Sequence, residues 1–442
     1  MTTTNTILRW VVLSVAAVVF ATPLSALAAD WPQWRGPALN GSSEAKDLPD
    51  KLDPKQNLAW KATLPGPGAG TPIIFGDRIF LSALDTQSKK LLALCLDRKD
   101  GKVLWRKEVG LGYAANQRNN MASPSPLTDG KTVWFYYGTG DLAAFDVEGK
   151  ELWARNLEKD YGKFNVQWIY GSSPLLWEGK LFVQVLHRDV PPHGPRQAEG
   201  QRSESYLLAL EPQTGREIWR VVREDNANAE SKESYGTPVP FFGSDRKEIV
   251  VIGGDVVSGH DVETGKELWR AGDWNPERIG HWRIVPSVLT AEGLAVACAP
   301  KNGPVMAFKA GGEGDVTDTH TAWKTRDFTS DVCVPLYYNK QLYVLDGDGK
   351  KVHCADLKTG KVKWSGSLGG DAVFRASPTG ADGKIYCMNE RGAVWVLSAD
   401  EFKVLYKGDL GGAGNYPTRS TIAVADGQAF VRTSDTLYCF KK

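Results

Sequence analysis

Three arginines hold one position in a repeating pattern: Arg283, Arg375 and Arg419 each stand three residues ahead of the Pro, or its equivalent Ile422, in the first strand of a unit. Arginine suits the recognition of a carboxylate or phosphate, because its planar fork donates two parallel hydrogen bonds. In the other units the position is Ala69, Met121, Gly171, Tyr235 and Val332. If these positions ring one opening, the arginines converge there on an anion. Trp168, Tyr170, Trp282, Phe374 and Tyr416 lie close by in sequence and supply candidate aromatic walls. The competing reading is that Asp331, Asp371 or Glu233 neutralises the arginines, so that they plug the opening.

Other chemistry-bearing patterns are incomplete. Gly66-Pro67-Gly68-Ala69-Gly70 lacks the Gly-Lys-Ser/Thr that completes a phosphate loop. Asp346-Gly347-Asp348-Gly349 begins like a calcium loop, but Lys350 stands where an oxygen ligand belongs, so a hairpin turn is expected. The six histidines, His187, His193, His260, His281, His320 and His353, show no zinc spacing. A Ser/His/Asp triad from separated residues stays open, without a Gly-x-Ser-x-Gly elbow to support it. No catalytic residue and no metal ligand is assigned.

Composition narrows the classes. Across 442 residues, 53 Lys and Arg face 52 Asp and Glu, a balance that argues against a nucleic-acid partner. Arg9, the apolar run 10–20, Pro23 and Ser25-Ala26-Leu27-Ala28-Ala29 fit a secretory signal peptide cleaved after Ala28. The run is shorter than the ~20 residues of a spanning helix, although an uncleaved anchor is the alternative. No later transmembrane segment is found. The mature protein is expected in the periplasm or outside the cell, with its oligomeric state open.

The elements that must position the arginines come from self-similarity. Each unit reads as a small residue, Pro, an apolar strand, a Gly turn, two further strands, Asp-x-x-x-Gly-Lys, and a strand carrying Trp. Residues 172–219 and 335–364 follow this plan. The aromatic recurs as Trp105, Trp153, Trp219, Trp269, Trp323, Trp364 and Tyr406, while Trp60 has no preceding strands and the last unit, 420–442, stops before its own. A chain end lacking one strand and a chain start supplying one close a circle. Residues 57–442 then form eight units of about 48 residues, the length of a four-stranded propeller blade. The fold class is therefore an all-β, eight-bladed propeller of four-stranded antiparallel blades, after a signal at 1–28 and an extension at 29–56. Seven blades plus an odd strand is the alternative.

The Trp series is read as blade-to-blade packing, each indole removing roughly 150–250 Å² from water. Gly101, Gly215, Gly265 and Gly360 are read as hairpin residues needing positive φ. Cys95, Cys354 and Cys439 fall in the slot of Ala144, Ala209, Gly259 and Ala307, which calls for a small side chain. All six cysteines are expected to be free.

The runs Ala-Leu-Glu-Pro-Gln-Thr-Gly-Arg-Glu-Ile-Trp-Arg (209–220) and Val-Glu-Thr-Gly-Lys-Glu-Leu-Trp-Arg (262–270) resemble the repeat signature of the pyrroloquinoline-quinone-type (PQQ-like) β-propellers, across essentially all of 57–442. Trp31-Pro32-Gln33-Trp34-Arg35-Gly36-Pro37 looks like the opening of exported members common in planctomycete-type bacteria. The resemblance implies one of two activities. Quinoprotein dehydrogenases of this type use PQQ with a calcium or lanthanide ion, adjacent cysteines, a stacking Trp and a catalytic Asp. BamB, the outer-membrane assembly factor, is a non-catalytic scaffold. This sequence has no Cys-Cys pair, and no cysteine in residues 1–94 to carry the lipid of a lipoprotein.

The leading expectation is a non-catalytic exported scaffold for protein interaction in envelope and outer-membrane protein assembly, its partners envelope or other exported proteins held by propeller loops. No cofactor is expected on this reading. The alternatives are a PQQ- and calcium-dependent oxidoreductase, and a small-anion binding or sensing module using Arg283, Arg375, Arg419, Tyr235, Trp282 and Asp331. The insertion from His187 to about Ser203 is a second candidate contact surface, or a tolerated surface loop.

Overall fold

A computed structural model describes residues 30–112, 118–192, 203–411 and 416–442. The segment 1–28, and 193–202 of the insertion, lie outside the described residues.

Eight antiparallel sheets are arranged in a ring. In the third blade the strands are Leu175–Trp177, Lys180–Val185, Tyr206–Leu210 and Glu217–Val222. Lys180–Val185 is buried from its second residue and Tyr206–Leu210 throughout, because neighbouring blades cover both faces of the middle strands. Continuous apolar runs follow from that double coverage. In the outermost strand only Trp219 is buried. Tight hairpins join the first two strands: Glu178-Gly179, Glu292-Gly293, Asp382-Gly383 and Asp426-Gly427 have positive φ at both positions, the geometry whose twist matches flanking strands.

The ring closes with chain from both ends. Leu58–Thr63 pairs antiparallel with Thr436–Lys441 as the outermost strand of the eighth blade, placing Trp60 opposite Cys439. Every blade repeats that relation. Trp105, Trp153, Trp219, Trp269, Trp323, Trp364 and Tyr406 lie opposite Cys95, Ala144, Ala209, Gly259, Ala307, Cys354 and Val396. A register shift beside each pair marks a β-bulge, which bends the outer strand locally and re-aims the aromatic. Val396 shows the slot to be less strict than Ala and Gly suggest, at the one blade where Tyr replaces Trp.

The indoles reach into the following blade. Trp60, Trp105, Trp153, Trp219 and Trp323 donate to the carbonyls of Arg98, Val147, Pro212, Val262 and Leu357 at 2.8–3.1 Å. Trp269 instead donates to Glu248 in its own blade at 2.7 Å. The six cysteines are buried and unpaired.

Two features depart from eight plain blades. Gly314–Asp315 adds a short parallel strand to the outer edge of the fourth blade, beside Glu267–Ala271. The extension at 30–56 crosses the ring. Trp31 bridges Ile74 of the first blade, and the Pro32 carbonyl accepts from Thr128 of the second. Arg35 donates to the carbonyls of Pro335 and Pro378, in the sixth and seventh, at 2.7 Å each. Ser42 then bridges Gly380, and the Pro49 carbonyl accepts from Tyr386. Arg35 is fully buried, and Gly36 and Gly41 leave room where a Cβ would meet Trp31 or the Arg35 guanidinium.

Candidate functional site

The first strands of adjacent blades touch around the axis, and hydroxyls flanking the prolines tie them together. The amides of Thr71, Ser125, Ser173 and Thr237 donate in turn to the side chains of Ser125, Ser173, Thr237 and Ser287, each in the following blade, at 2.7–3.0 Å. Val334 donates likewise to Ser377 at 2.9 Å. The small residue beside each Pro is thus a circumferential hydrogen-bond belt, and its rigidity fixes the residues just above it.

Above the belt lies a cavity of about 180 Å³. Seven of the eight expected positions line it: Ala69, Gly171, Tyr235, Arg283, Val332, Arg375 and Arg419. Counted from the belt, however, the second and fifth blades place Ser123 and Val285 in that register, so Met121 and Arg283 stand two residues ahead of it; the Pro used for counting is displaced in those two units, and Met121 is buried. Arg118, Trp168 and, from the N-terminal extension, Trp34 complete the lining. The extension therefore supplies part of the cavity wall. Its sequence gave no hint of this role, because the contact joins residues hundreds of positions apart.

The three arginines share this cavity, each beside carboxylates. Arg375 donates to both oxygens of Asp348 at 3.0 and 2.6 Å. Burial works against the Arg375 cation, yet Asp348 holds its pKa above the ordinary value. The same hydrogen bonds hold the Asp348 carboxyl below its ordinary value. Arg419 lies 2.5 Å from Glu390 and donates to the carbonyl of Arg118. Burial lowers the pKa of Arg419, with Glu390 opposing it. Arg283 is held more loosely, 3.5 Å from Glu230 and 3.7 Å from Asp331.

The carboxylates differ from those expected. Asp331 does accompany Arg283, and its other oxygen accepts from the Lys301 amide at 2.9 Å. Asp371 pairs with Arg391 instead. Glu233 pairs with Arg188 and accepts from Tyr235 at 2.7 Å and from the Gln167 amide at 2.9 Å. Asp348 belongs to the Asp346-Gly347-Asp348-Gly349 segment, which is a hairpin turn: Asp346 accepts from the Gly349 amide at 2.8 Å, leaving Asp348 for Arg375. Glu390 sits in the corresponding turn of the next blade. The signal was present in sequence as an acidic residue in two second-to-third-strand turns, each one blade before an arginine.

The aromatic walls are Trp168, Tyr235 and Trp34. Arg118 stacks over Trp168 at 5.3 Å, and the Trp168 indole donates to Glu230 at 3.0 Å. Trp282 packs instead against the apolar core around Trp269 and Ile284, its amide held by Ser231 at 2.8 Å. Phe374 is buried on Trp395, and Tyr170 against Tyr136 and Phe164. Tyr416 is half-buried and does not line the cavity.

This arrangement can hold an anionic group at an arginine-rich rim, with Arg283 having the loosest partners. Asp348 and Glu390 are engaged by arginines, the cysteines are dispersed and buried, and no three His, Cys, Asp or Glu side chains converge among the described residues.

Comparison with known proteins places these features among relatives of two kinds. The chain matches the family described as outer membrane protein assembly factor BamB over residues 52–184, 203–310 and 253–439. It is 23% identical over 324 residues to the outer membrane protein assembly factor BamB of Burkholderia pseudomallei, covering 71% of this chain and 69% of that one. It is 24% identical over 243 residues to a polyvinylalcohol dehydrogenase of a Pseudomonas species, covering 49% of this chain and 36% of the relative. The chain thus spans about a third of the dehydrogenase's length. The crystal structure of BamB from Moraxella catarrhalis superposes with a TM-score of 0.58 at 12% identity, over 86% of this chain and 98% of that one, a likeness of fold.

Proposed function

The chain belongs to the BamB family of PQQ-like β-propellers, and from that premise we propose that it is a non-catalytic exported scaffold for protein interaction in envelope assembly. The observation that carries this reading is the mouth itself. Its charged side chains are held against one another over a rigid belt, Arg375 on Asp348 and Arg419 on Glu390. A fixed pattern of alternating charge around an opening is suited to select a partner loop and set its register. The signal peptide, cleaved after Ala28, delivers the chain to the periplasm or beyond, and the partner is an envelope protein. Among the described residues no helix is long and apolar enough to cross a membrane.

A photo-crosslinking residue placed at Trp168 in the full chain, expressed in its host, tests the proposal against the same residue placed at Lys102 on the opposite face. Crosslinks from the mouth to an outer-membrane protein or its assembly machinery are expected. A mouth that captures no envelope protein overturns the reading.

The second reading, a quinone-dependent oxidoreductase, draws on the dehydrogenase relatives. Incubation with PQQ and calcium, followed by absorbance and dye-reduction assays, separates it from the first. The third, a small-anion sensor, draws on the looser partners of Arg283. Calorimetry with a dicarboxylate such as succinate, on the protein and on Arg283→Gln, tests it.

A further inference from the structure

We infer that Arg432, Tyr137 and Ser82 hold a small monovalent anion, chloride under ordinary conditions, buried at the seam where the ring closes. Arg432 ends the second strand of the eighth blade, Ser82 lies in the second strand of the first, and Tyr137 follows the second strand of the second. All three are at 0% exposure. The Gly66-Pro67-Gly68-Ala69-Gly70 segment, leading from the closing strand into the first blade, lies over them. Gly66 abuts the Leu84 carbonyl, and Gly68 abuts both Arg432 Nη2 and the Ser82 carbonyl. Three glycines in five residues are thus a close-fitting cover.

The chemistry beneath that cover is unbalanced. Arg432 makes one long hydrogen bond, 3.3 Å from Nη1 to the Gly70 carbonyl, and has no carboxylate partner among the described residues. Its Nε and Nη2 are buried without a partner, and the buried Ser82 hydroxyl reaches only the Tyr137 oxygen, which leaves the Tyr137 O–H without an acceptor among the described residues. Two other fully buried arginines show how the fold ordinarily treats such a group. Arg223 gives three hydrogen bonds, to Ser258 and to the carbonyls of Gly253 and Val256, at 2.8–3.0 Å. Arg35 gives three, to the carbonyls of Pro378, Asn40 and Pro335, at 2.7–3.0 Å. Arg432 departs from both.

Its unpartnered atoms are N–H and O–H groups, which together ask for one acceptor. Burial lowers the Arg432 pKa to about 10, so the guanidinium is still a cation at neutral pH. Burial also raises the pKa of Tyr137, which keeps its proton to donate. A water molecule accepts only two hydrogen bonds, fewer than the N–H and O–H donors left over here, whereas a monatomic anion accepts from all of them and neutralises the guanidinium as well. Ala69 of the cover also lines the mouth cavity, whereas Arg432, Tyr137 and Ser82 do not, and the site does not depend on the scaffold reading.

Crystals grown without halide and soaked in sodium bromide test the inference by anomalous diffraction at the bromine edge. A bromide peak within hydrogen-bonding reach of Arg432 and Tyr137 is expected, and density without anomalous signal, meaning water, overturns it. A second readout is unfolding in sodium chloride against sodium gluconate at equal ionic strength. Above the dissociation constant, the unfolding equilibrium constant falls about tenfold per tenfold rise in chloride. Arg432→Met abolishes that dependence and Tyr137→Phe weakens it several-fold. Equal stability of the native chain in both salts overturns the inference, whether or not either variant folds.

Discussion

The indole of Trp219 lies against Gly265 of the next blade, so closely that a Cβ on that glycine would sit 2.6 Å from the ring. Gly101, Gly149, Gly215 and Gly360 stand in the same relation to Trp60, Trp105, Trp153 and Trp323. The glycine therefore meets two requirements at once: a left-handed turn, with φ of +73° at Gly265, and a flat seat for the neighbouring ring. Gly265→Ala is expected to cost about 2–4 kcal/mol, from left-handed backbone strain and overpacking together. Urea denaturation followed by tryptophan fluorescence measures it.

Beside that seat is an acid-sensitive core. His260 accepts from Ser258 at 2.9 Å through Nε2 and donates through Nδ1 to the Gly265 carbonyl at 3.0 Å. Burial, reinforced by nearby Arg223, pushes His260 down to about 4, and burial pushes His187 down to about 4. Both are neutral when folded, while in the unfolded chain they take up protons near pH 6.5. Stability is therefore full above pH 6.5 and falls as pH drops toward 4, by about 1.4 kcal/mol per pH unit for each histidine. His260→Gln removes one of the two contributions, read as the slope of unfolding free energy against pH.

An ion pair holds the mouth, and it too is lost in acid. Asp348 titrates below an ordinary aspartate, so its contribution is present above the unfolded pKa near 3.9 and disappears as pH falls through the lower folded value. Carbon-detected NMR titration should place Asp348 below the exposed carboxylates. In Arg375→Gln it returns toward the ordinary value. Asp348→Asn leaves Arg375 without its bidentate partner and is expected to weaken any contact that relies on the fixed orientation of that guanidinium.

The thiols should be silent in the folded chain. Burial raises Cys298 and Cys333 to about 12 and Cys95 to about 11, so reactive thiolate is scarce at neutral pH. A thiol reagent should find none of the six cysteines in native protein and all six in denaturant. Non-reducing mass spectrometry that finds a Cys95–Cys439 bridge contradicts the blade register.

Trp60 shows why the architecture was legible in the sequence. Its register with the other tryptophans fixed its partner strand before any contact was known, because each blade repeats one hydrogen-bonding plan. Arg375 and Arg419 reach one opening by the same logic, whereas Arg283 reaches it from two residues ahead of the repeat position, which Val285 holds. The partners of Arg375 and Arg419 were not legible, since Asp348 and Glu390 reach across blades from turns, and turn geometry lies outside the strand repeat. Trp282 and Phe374 lie outside the cavity despite their neighbours in sequence, because adjacency says nothing about which way a loop side chain faces. The extension carrying Trp34 repeats nothing, so only its three-dimensional path reveals what it touches.

The pairing of Leu58–Thr63 with Thr436–Lys441 sets an order of events during synthesis. A ribosome releases the first of these strands long before the second exists, so the early segment must wait, unmatched and prone to wrong association, until Thr436–Lys441 has emerged. The circle can be completed only then.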